Sequence, residues 1–339
     1  MNFSRGWACA ALVSVALTAP ALAQDTTLRI STWLPPTHGI NTNIFGGLIE
    51  MIEDATDGAV TGELVSGLAP PPAQMDLVLD GAADMAIIFH GYQPGRFVGT
   101  QLIELPGYTG SAEAASVAYW RAHEAHLAAL DEHRGVIVVA LNTHGPGQLH
   151  LREPAYALAD LDGLRTRIGG GVAGNVGSAI GLVGVNVPAP QVYETLESGA
   201  ADAVAMNVGE RIGFRLNEVA PALYEMPGGF YRGSFAIIMS QETFDGLPED
   251  VQTALAEQVL GEPASRMAGA AWDLSDQLAY EAMGDGTTSV EASAEDQAAF
   301  AEIAATVREG VLAELSEAGV DAEAAYQLVV DAMAEVSAE

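Results

Sequence analysis

Short apolar runs alternate with stretches of helical spacing along most of this chain, and that alternation predicts its elements. Residues 28–33 read as a strand closed by Pro35-Pro36, and 41–55 as a helix stopped by the Asp57-Gly58 turn signal. A short strand over 63–66 follows. After the prolines at 70–72, a helix over 73–79 ends at Gly81, and 83–89 form an apolar strand. Residues 136–141 are a continuous β-branched run of the kind buried on both faces. Further strands fall at 164–168, 185–187 and 203–206, with helical segments between them. Strands alternating with helices predict parallel sheets covered by helices, an α/β architecture.

Beyond Ser240 the texture changes. Residues 241–339 read as largely helical, with capping signals at Ser240 and Ser293. One long helix over 264–283 is expected to bridge two lobes. The expectation of two lobes comes from an internal echo: Gly-Ala-Ala-Asp occurs at 81–84 and again at 199–202. Each copy follows a short helical stretch and leads into an apolar strand. The glycine suits a left-handed helix C-cap, so the same supersecondary plan is used twice.

The first residues change the picture of where the chain works. Arg5, an apolar run over 7–17 and Ala21-Leu22-Ala23 have the layout of a secretory signal peptide cleaved after Ala23. The run is too short to span a bilayer, which needs about 20 residues. Cys9, the only cysteine, lies in that segment, so the exported chain is expected to have no disulfide and no thiol chemistry. What remains suffices for two domains and a sizeable core, since 49% of the whole chain is apolar. No later stretch reads as a membrane span, so a soluble protein is expected.

Charge narrows the partners. The formal net charge is −32, from 13 basic and 45 acidic residues, and every basic residue is arginine. Such a surface repels nucleic acid and anionic lipid. The lack of lysine removes Schiff-base catalysis and the phosphate-loop lysine. Each arginine that points inward is expected to have a specific anionic partner.

Several motifs are weaker than they look. Residues 169–174 satisfy Gly-x-Gly-x-x-Gly after a strand and before a helix. The following strand, over 184–187, ends in Pro188-Ala189-Pro190 with no carboxylate to hold a ribose, so a dinucleotide site is not expected. What survives is a glycine turn whose backbone N–H groups face an anion. Just before it, Arg165 and Arg167 share a strand face, and Arg167 is nearer the carboxyl end, where open α/β sheets bind ligands. Arg167 is therefore expected to grip a carboxylate with two parallel charge-assisted bonds, and Arg165 to form a structural ion pair. His123 and His126 lack the zinc-hydrolase spacing and are expected on a solvated helix face, with no metal. No Gly-x-Ser-x-Gly elbow occurs. Trp33, Phe89, His90 and Tyr92, at or past strand ends, suit either a pocket wall or the core.

Together these residues resemble the extracytoplasmic solute receptors of TRAP (tripartite ATP-independent periplasmic) transporters, the DctP-like family. The most specific stretch is Asp-Leu-Asp-Gly-Leu-Arg-Thr-Arg-Ile over 160–168, similar to the family's D-L-x-G-L-K-x-R strand. Residues 78–86, 104–107 and 193–202 add to it, and the resemblance runs from about Thr27 into the helical C-terminal region. It implies an α/β, two-lobed periplasmic-binding-protein-like fold whose hinged lobes close on an organic acid. Lobe 1 would comprise 24–146 and 234–275, and lobe 2 would comprise 147–233 and 276–339 with the C-terminal helices. The resemblance gives Arg167 the substrate carboxylate and sets Met206 and Asn207 on the opposite wall. Many members carry a second arginine where this chain has Gln148, and that departure favours a monocarboxylate with a neutral, polar or aromatic remainder.

The expected function is that of a periplasmic receptor, not an enzyme. It would use no cofactor and act as a monomer, delivering a small organic anion to the small and large membrane subunits of the transporter. The expected binding set is Arg167, Gln148, Asn207, Met206, Trp33, Phe89 and His90. Two alternatives stay open: a secreted enzyme acting on a small anion, and a receptor serving a sensor or another type of transporter.

Overall fold

The structure is a computed structural model, and it describes residues 26–284 and 286–339. The expected signal peptide, with Cys9, lies outside the described residues. Eleven strands are described, in chain order β1 (Thr26–Thr32), β2 (Val60–Ser66), β3 (Met85–Phe89), β4 (Val136–Thr143), β5 (Gly147–Leu151), β6 (Arg165–Ile168), β7 (Val183–Asn186), β8 (Ala203–Asn207), β9 (Ala222–Glu225), β10 (Ser234–Ser240) and β11 (Thr288–Glu291). They form a five-stranded sheet ordered β2-β1-β3-β10-β4 and a six-stranded sheet ordered β11-β9-β5-β8-β6-β7.

Both sheets are mixed, which departs from the wholly parallel arrangement expected. β10 runs antiparallel to β3 and β4, and β5 runs antiparallel to β8 and β9. These two strands carry the chain across from one sheet to the other. β4 passes to β5 through residues 144–146, and β9 returns to β10 through 226–233. The two crossings lie side by side, with Gly147 N–H donating to the Tyr231 carbonyl at 2.8 Å and Phe230 N–H to the Gly147 carbonyl at 2.9 Å. Arg232 ties the crossing down, donating to the carbonyls of Gly110 (2.5 Å) and His144 (3.4 Å). Neither β5 nor β10 was read from the sequence. Both are buried along their whole length, β10 as an apolar run and β5 with Gln148 and His150 hydrogen-bonded to backbone groups inside the fold.

The echo at 81–84 and 199–202 has a structural basis. Gly81 (φ 69°) and Gly199 (φ 73°) both follow a short helix in the left-handed region, and each leads into a wholly buried strand, β3 or β8. Asp84 receives the backbone N–H of Arg29, and Asp202 that of Arg165, so each aspartate pins the strand beside its own. No helix among the described residues is long and apolar enough to cross a membrane.

The long helix Glu262–Ala282 packs its alanines and glycine against the helix Ala112–Ala122, where Gly269 lies against the backbone of Ala112 and Glu113. Farther along, Trp272 donates to Asn142 of β4, Asp276 accepts from Asn207 of β8, and Tyr280 donates to Glu225 of β9. The last helix, Ala322–Val336, differs from its expected place in lobe 2. Val336 packs with Ala114 and Val117 of the helix Ala112–Ala122, beside the first sheet. Its alanine-rich face offered no sequence signal for one sheet over the other.

Candidate functional site

A cavity lies where the two sheets face each other, and the carboxyl ends of parallel strands supply most of its wall. Trp33, Leu34, His38 and Ile40 follow β1; Phe89 ends β3 and Tyr92 follows it. Arg167 and Gly169 stand at the end of β6, while Met206 and Asn207 end β8, with Glu210 and Phe214 just beyond. His144 and Tyr231 come from the crossings, Phe235 from β10 and Trp272 from the long helix. The space is about 430 Å³ with its open mouth included.

Rings dominate the wall. Phe89 packs edge-on to Tyr92 at 4.7 Å between centroids and tilted to Phe235 at 5.0 Å; Phe235 meets Trp272 at 5.3 Å. Trp33 stands edge-on to Tyr92, its indole N–H spent on the Ile87 carbonyl. Such packing fixes the side chains before any ligand arrives.

Arg167 is the cation in this wall, 3% exposed. Its Nε donates to the Val187 carbonyl at 2.8 Å and its Nη2 to the Tyr92 hydroxyl at 3.0 Å. A guanidinium has five N–H groups, so three remain, two of them on Nη1. No carboxylate lies within 4.0 Å of it among the described residues. The Tyr92 oxygen also accepts from Ala189 N–H at 2.8 Å, which leaves its own hydrogen to donate. The neighbouring Arg165 forms the expected structural pair, to Asp202 at 2.7 Å.

Burial of arginine does not by itself mark an anion site here, contrary to expectation. Arg211 and Arg232 are also buried, and carbonyl oxygens take their N–H groups: Ala220 for Arg211, Gly110 and His144 for Arg232. Arg167 differs because its unused donors border a cavity.

Of the residues expected at the site, Arg167, Asn207, Met206, Trp33 and Phe89 line the cavity, and two do not. Gln148 is turned away from it: its amide donates to the Met226 carbonyl at 3.1 Å and accepts the Met226 N–H at 2.8 Å. The register sets Gln148 opposite Met206 in β8, but its amide is committed to the Met226 backbone beyond β9 and does not reach the cavity. His90 is buried behind the wall, bonded to Ser234 Oγ at 3.0 Å and to His133 Nε2 at 2.9 Å. His123 also departs from the solvated face expected of it. It is half-buried, packed against Trp120 and His133, and burial lowers its pKa.

The glycine turn meets an anion, but that anion belongs to the chain. Val172 N–H, at the start of the helix Val172–Ala179, donates at 2.8 Å to the carboxylate of Glu104, which also accepts from Ser234 at 2.5 Å. A methyl group on Gly171 would lie 2.2 Å from Glu104 Oε2, and one on Gly170 the same distance from the Gly91 carbonyl oxygen. Burial pushes the Glu104 carboxyl up to about 7, against the pull of its hydrogen bonds to Ser234 and Val172.

Sequence reasoning missed His38, Glu210, Phe214, His144, Tyr231, Phe235 and Trp272 at this wall. Their only sequence-level signal is indirect: three of the seven, His144, Tyr231 and Phe235, adjoin or belong to the strands β5, β9 and β10, which the apolar pattern left unmarked.

Comparison with known proteins adds to this geometry. The family model described as "DctP: Bacterial extracellular solute-binding protein, family 7" matches residues 33–314. A TRAP periplasmic solute-binding protein of Bordetella bronchiseptica, solved with bound (R)- and (S)-mandelate, is 32% identical with a TM-score of 0.89, covering 92% of this chain and 99% of that one. A TRAP solute-binding protein of Rhodoferax ferrireducens, solved with copurified benzoate, is 25% identical with a TM-score of 0.85 over 92% of this chain and 99% of that one. Among curated proteins, the "Outer membrane transporter protein TsaT" of Comamonas testosteroni is 28% identical over 84% of this chain and 85% of its own length.

Proposed function

The chain belongs to bacterial extracellular solute-binding protein family 7, and on that premise we propose that it captures a small aromatic monocarboxylate between its sheets and delivers it to the membrane subunits of a TRAP transporter. The observation that carries this reading is Arg167: a buried guanidinium with three unused N–H groups beside a cavity walled by rings. Its Nη edge would hold a carboxylate in a two-point grip, with the Tyr92 hydroxyl as a further donor. The aromatic wall favours an aryl remainder, whose burial contributes roughly 2–3 kcal/mol. With the Gln148 amide committed to Met226 and no second arginine at the wall among the described residues, one carboxylate is the charge the site suits. The acidic surface does not forbid an anion, because at physiological salt charges are screened beyond about 8 Å. The mandelate and benzoate held by the two similar receptors are ligands of this class.

Catalysis is not part of the reading: the family consists of receptors, and the periplasm is the compartment that fits them. Each lobe would carry one sheet, divided where the crossings run, at 144–146 and 226–233. Contacts between the sheets' elements, such as Glu104 to Val172 and His38 to Glu210, exist only while the lobes are together. A ligand touching both walls therefore shifts the population towards closure. Calorimetry with benzoate, phenylacetate and mandelate tests the proposal. The wild type is expected to bind at least one of them, and Arg167→Ala to weaken it by roughly 2–5 kcal/mol, about 30-fold or more. Unchanged affinity in that variant would remove Arg167 from the site.

A further inference from the structure

A second polar group stands in the same wall and has no use in gripping a carboxylate. Glu210, only 4% exposed, lies just past β8 and lines the cavity. Its Oε2 is 2.9 Å from His38 Nε2, and His38 Nδ1 accepts the backbone N–H of Ile40 at 3.2 Å. A ring nitrogen that accepts carries no hydrogen, so the hydrogen of His38 sits on Nε2 and the ring is neutral. The Glu210 charge is thus oriented by a hydrogen bond and not cancelled by a cation. Among the described residues, no donor reaches its other oxygen, Oε1. Asn207 beside it adds a second acceptor: one hydrogen of its Nδ2 goes to Asp276 at 2.6 Å, and no donor among the described residues reaches its Oδ1.

This accepting pole and Arg167 belong to different flanks of the cavity. An outer crevice lined by Gly39, Gly209 and Gly213 shares His38, Glu210 and Trp272 with it. A separate crevice lined by Gly91, Gly170 and Val187 shares Tyr92 and Gly169, the neighbours of Arg167. A ligand anchored by its carboxylate at Arg167 therefore turns its remainder towards acceptors.

We infer that Glu210, aimed by His38, selects ligands that carry an O–H or N–H donor in addition to the carboxylate. This deepens the aromatic-acid reading and rests on it. An unsubstituted ring would strip water from Glu210 and Asn207 and return no hydrogen bond, and a site that leaves its polar groups unpaired rejects such a ligand. Hydroxyl and amino substituents share the required chemistry.

The test is calorimetry on the full chain with phenylacetate, mandelate and phenylglycine, and with benzoate and 3-hydroxybenzoate. In the wild type, a donor-bearing acid is expected to bind about ten- to a hundredfold more tightly than its unsubstituted partner. Mandelate leading assigns a hydroxyl, and phenylglycine leading assigns an amine. Glu210→Ala and Glu210→Gln are each expected to pull that ratio towards one. Equal or tighter binding of the unsubstituted acids by the wild type overturns the inference without any variant, as does a ratio that survives in both. Failure of the underlying reading looks different: Arg167→Ala would then bind every acid as the wild type does.

Discussion

At the scale of single residues, the geometry of Arg167 separates charge from shape. The Nε and one Nη2 hydrogen are committed to Val187 and Tyr92, so the guanidinium cannot rotate away from the cavity. A lysine there keeps the charge but loses both anchors and the planar fork. Arg167→Lys is accordingly expected to fall between the wild type and Arg167→Ala in affinity, measured by calorimetry with the same acid. Glu104 sets a second residue-scale expectation. Its carboxyl is raised to about 7 in the fold by burial, whereas an unfolded glutamate titrates near 4.3. A carboxyl raised on folding lends stability that is whole below the unfolded value and is lost as pH climbs through about 7. The melting temperature of Glu104→Gln, relative to wild type, should therefore be more favourable at pH 8 than at pH 5. Buried His133, His144 and His150, lowered to about 3, 4 and 3 chiefly by burial, pull the other way in that window. They are common to both proteins and cancel in the difference.

At the scale of elements, the glycine turn before the helix Val172–Ala179 shows how much a motif's meaning depends on what meets it. Its spacing suggests a nucleotide loop, and its helix N-terminus does face a carboxylate. That carboxylate arrives from Glu104, distant in sequence, and fills the place a phosphate would need. Gly170 has φ 101°, and a methyl group there would sit 2.2 Å from the Gly91 carbonyl oxygen. Gly107 has a similar φ of 95° with nothing within 4 Å of such a methyl. Both Gly→Ala changes carry the strain of positive φ, roughly 1 kcal/mol. Gly170→Ala adds a backbone clash, so it should destabilise by at least ~1 kcal/mol more in chemical denaturation. Equal losses at the two positions would show that the turn yields to the contact.

For the whole molecule, two crossing segments connect the sheets, the helix Glu262–Ala282 hydrogen-bonds to β4, β8 and β9, and the ring-lined cavity lies between the sheets. Two of the three described tryptophans, Trp33 and Trp272, are in its wall, while Trp120 is not. Binding of an aromatic acid should change the intrinsic fluorescence, and Trp120→Phe should leave most of that change in place. Closure should also lower the radius of gyration in solution scattering on addition of a saturating ligand. A ligand that binds tightly with no change in scattering would separate recognition from domain movement in this receptor.

Strands β1 to β4 and β6 to β8, the doubled supersecondary plan and the candidacy of Arg167 were all determined by the sequence, because each rests on neighbours a few residues apart. Apolar periodicity marks a strand, a glycine closes a helix, and an arginine at a strand's carboxyl end points to the crevice. The tertiary structure alone decided the rest. It turned Gln148 to Met226, drew His90 behind the wall, filled the glycine turn with Glu104, and brought His38 to Glu210 across 172 positions. Strands β5 and β10 are buried on both faces, so polarity along them does not say which side chains meet the cavity, and those roles were invisible until the two sheets were placed together.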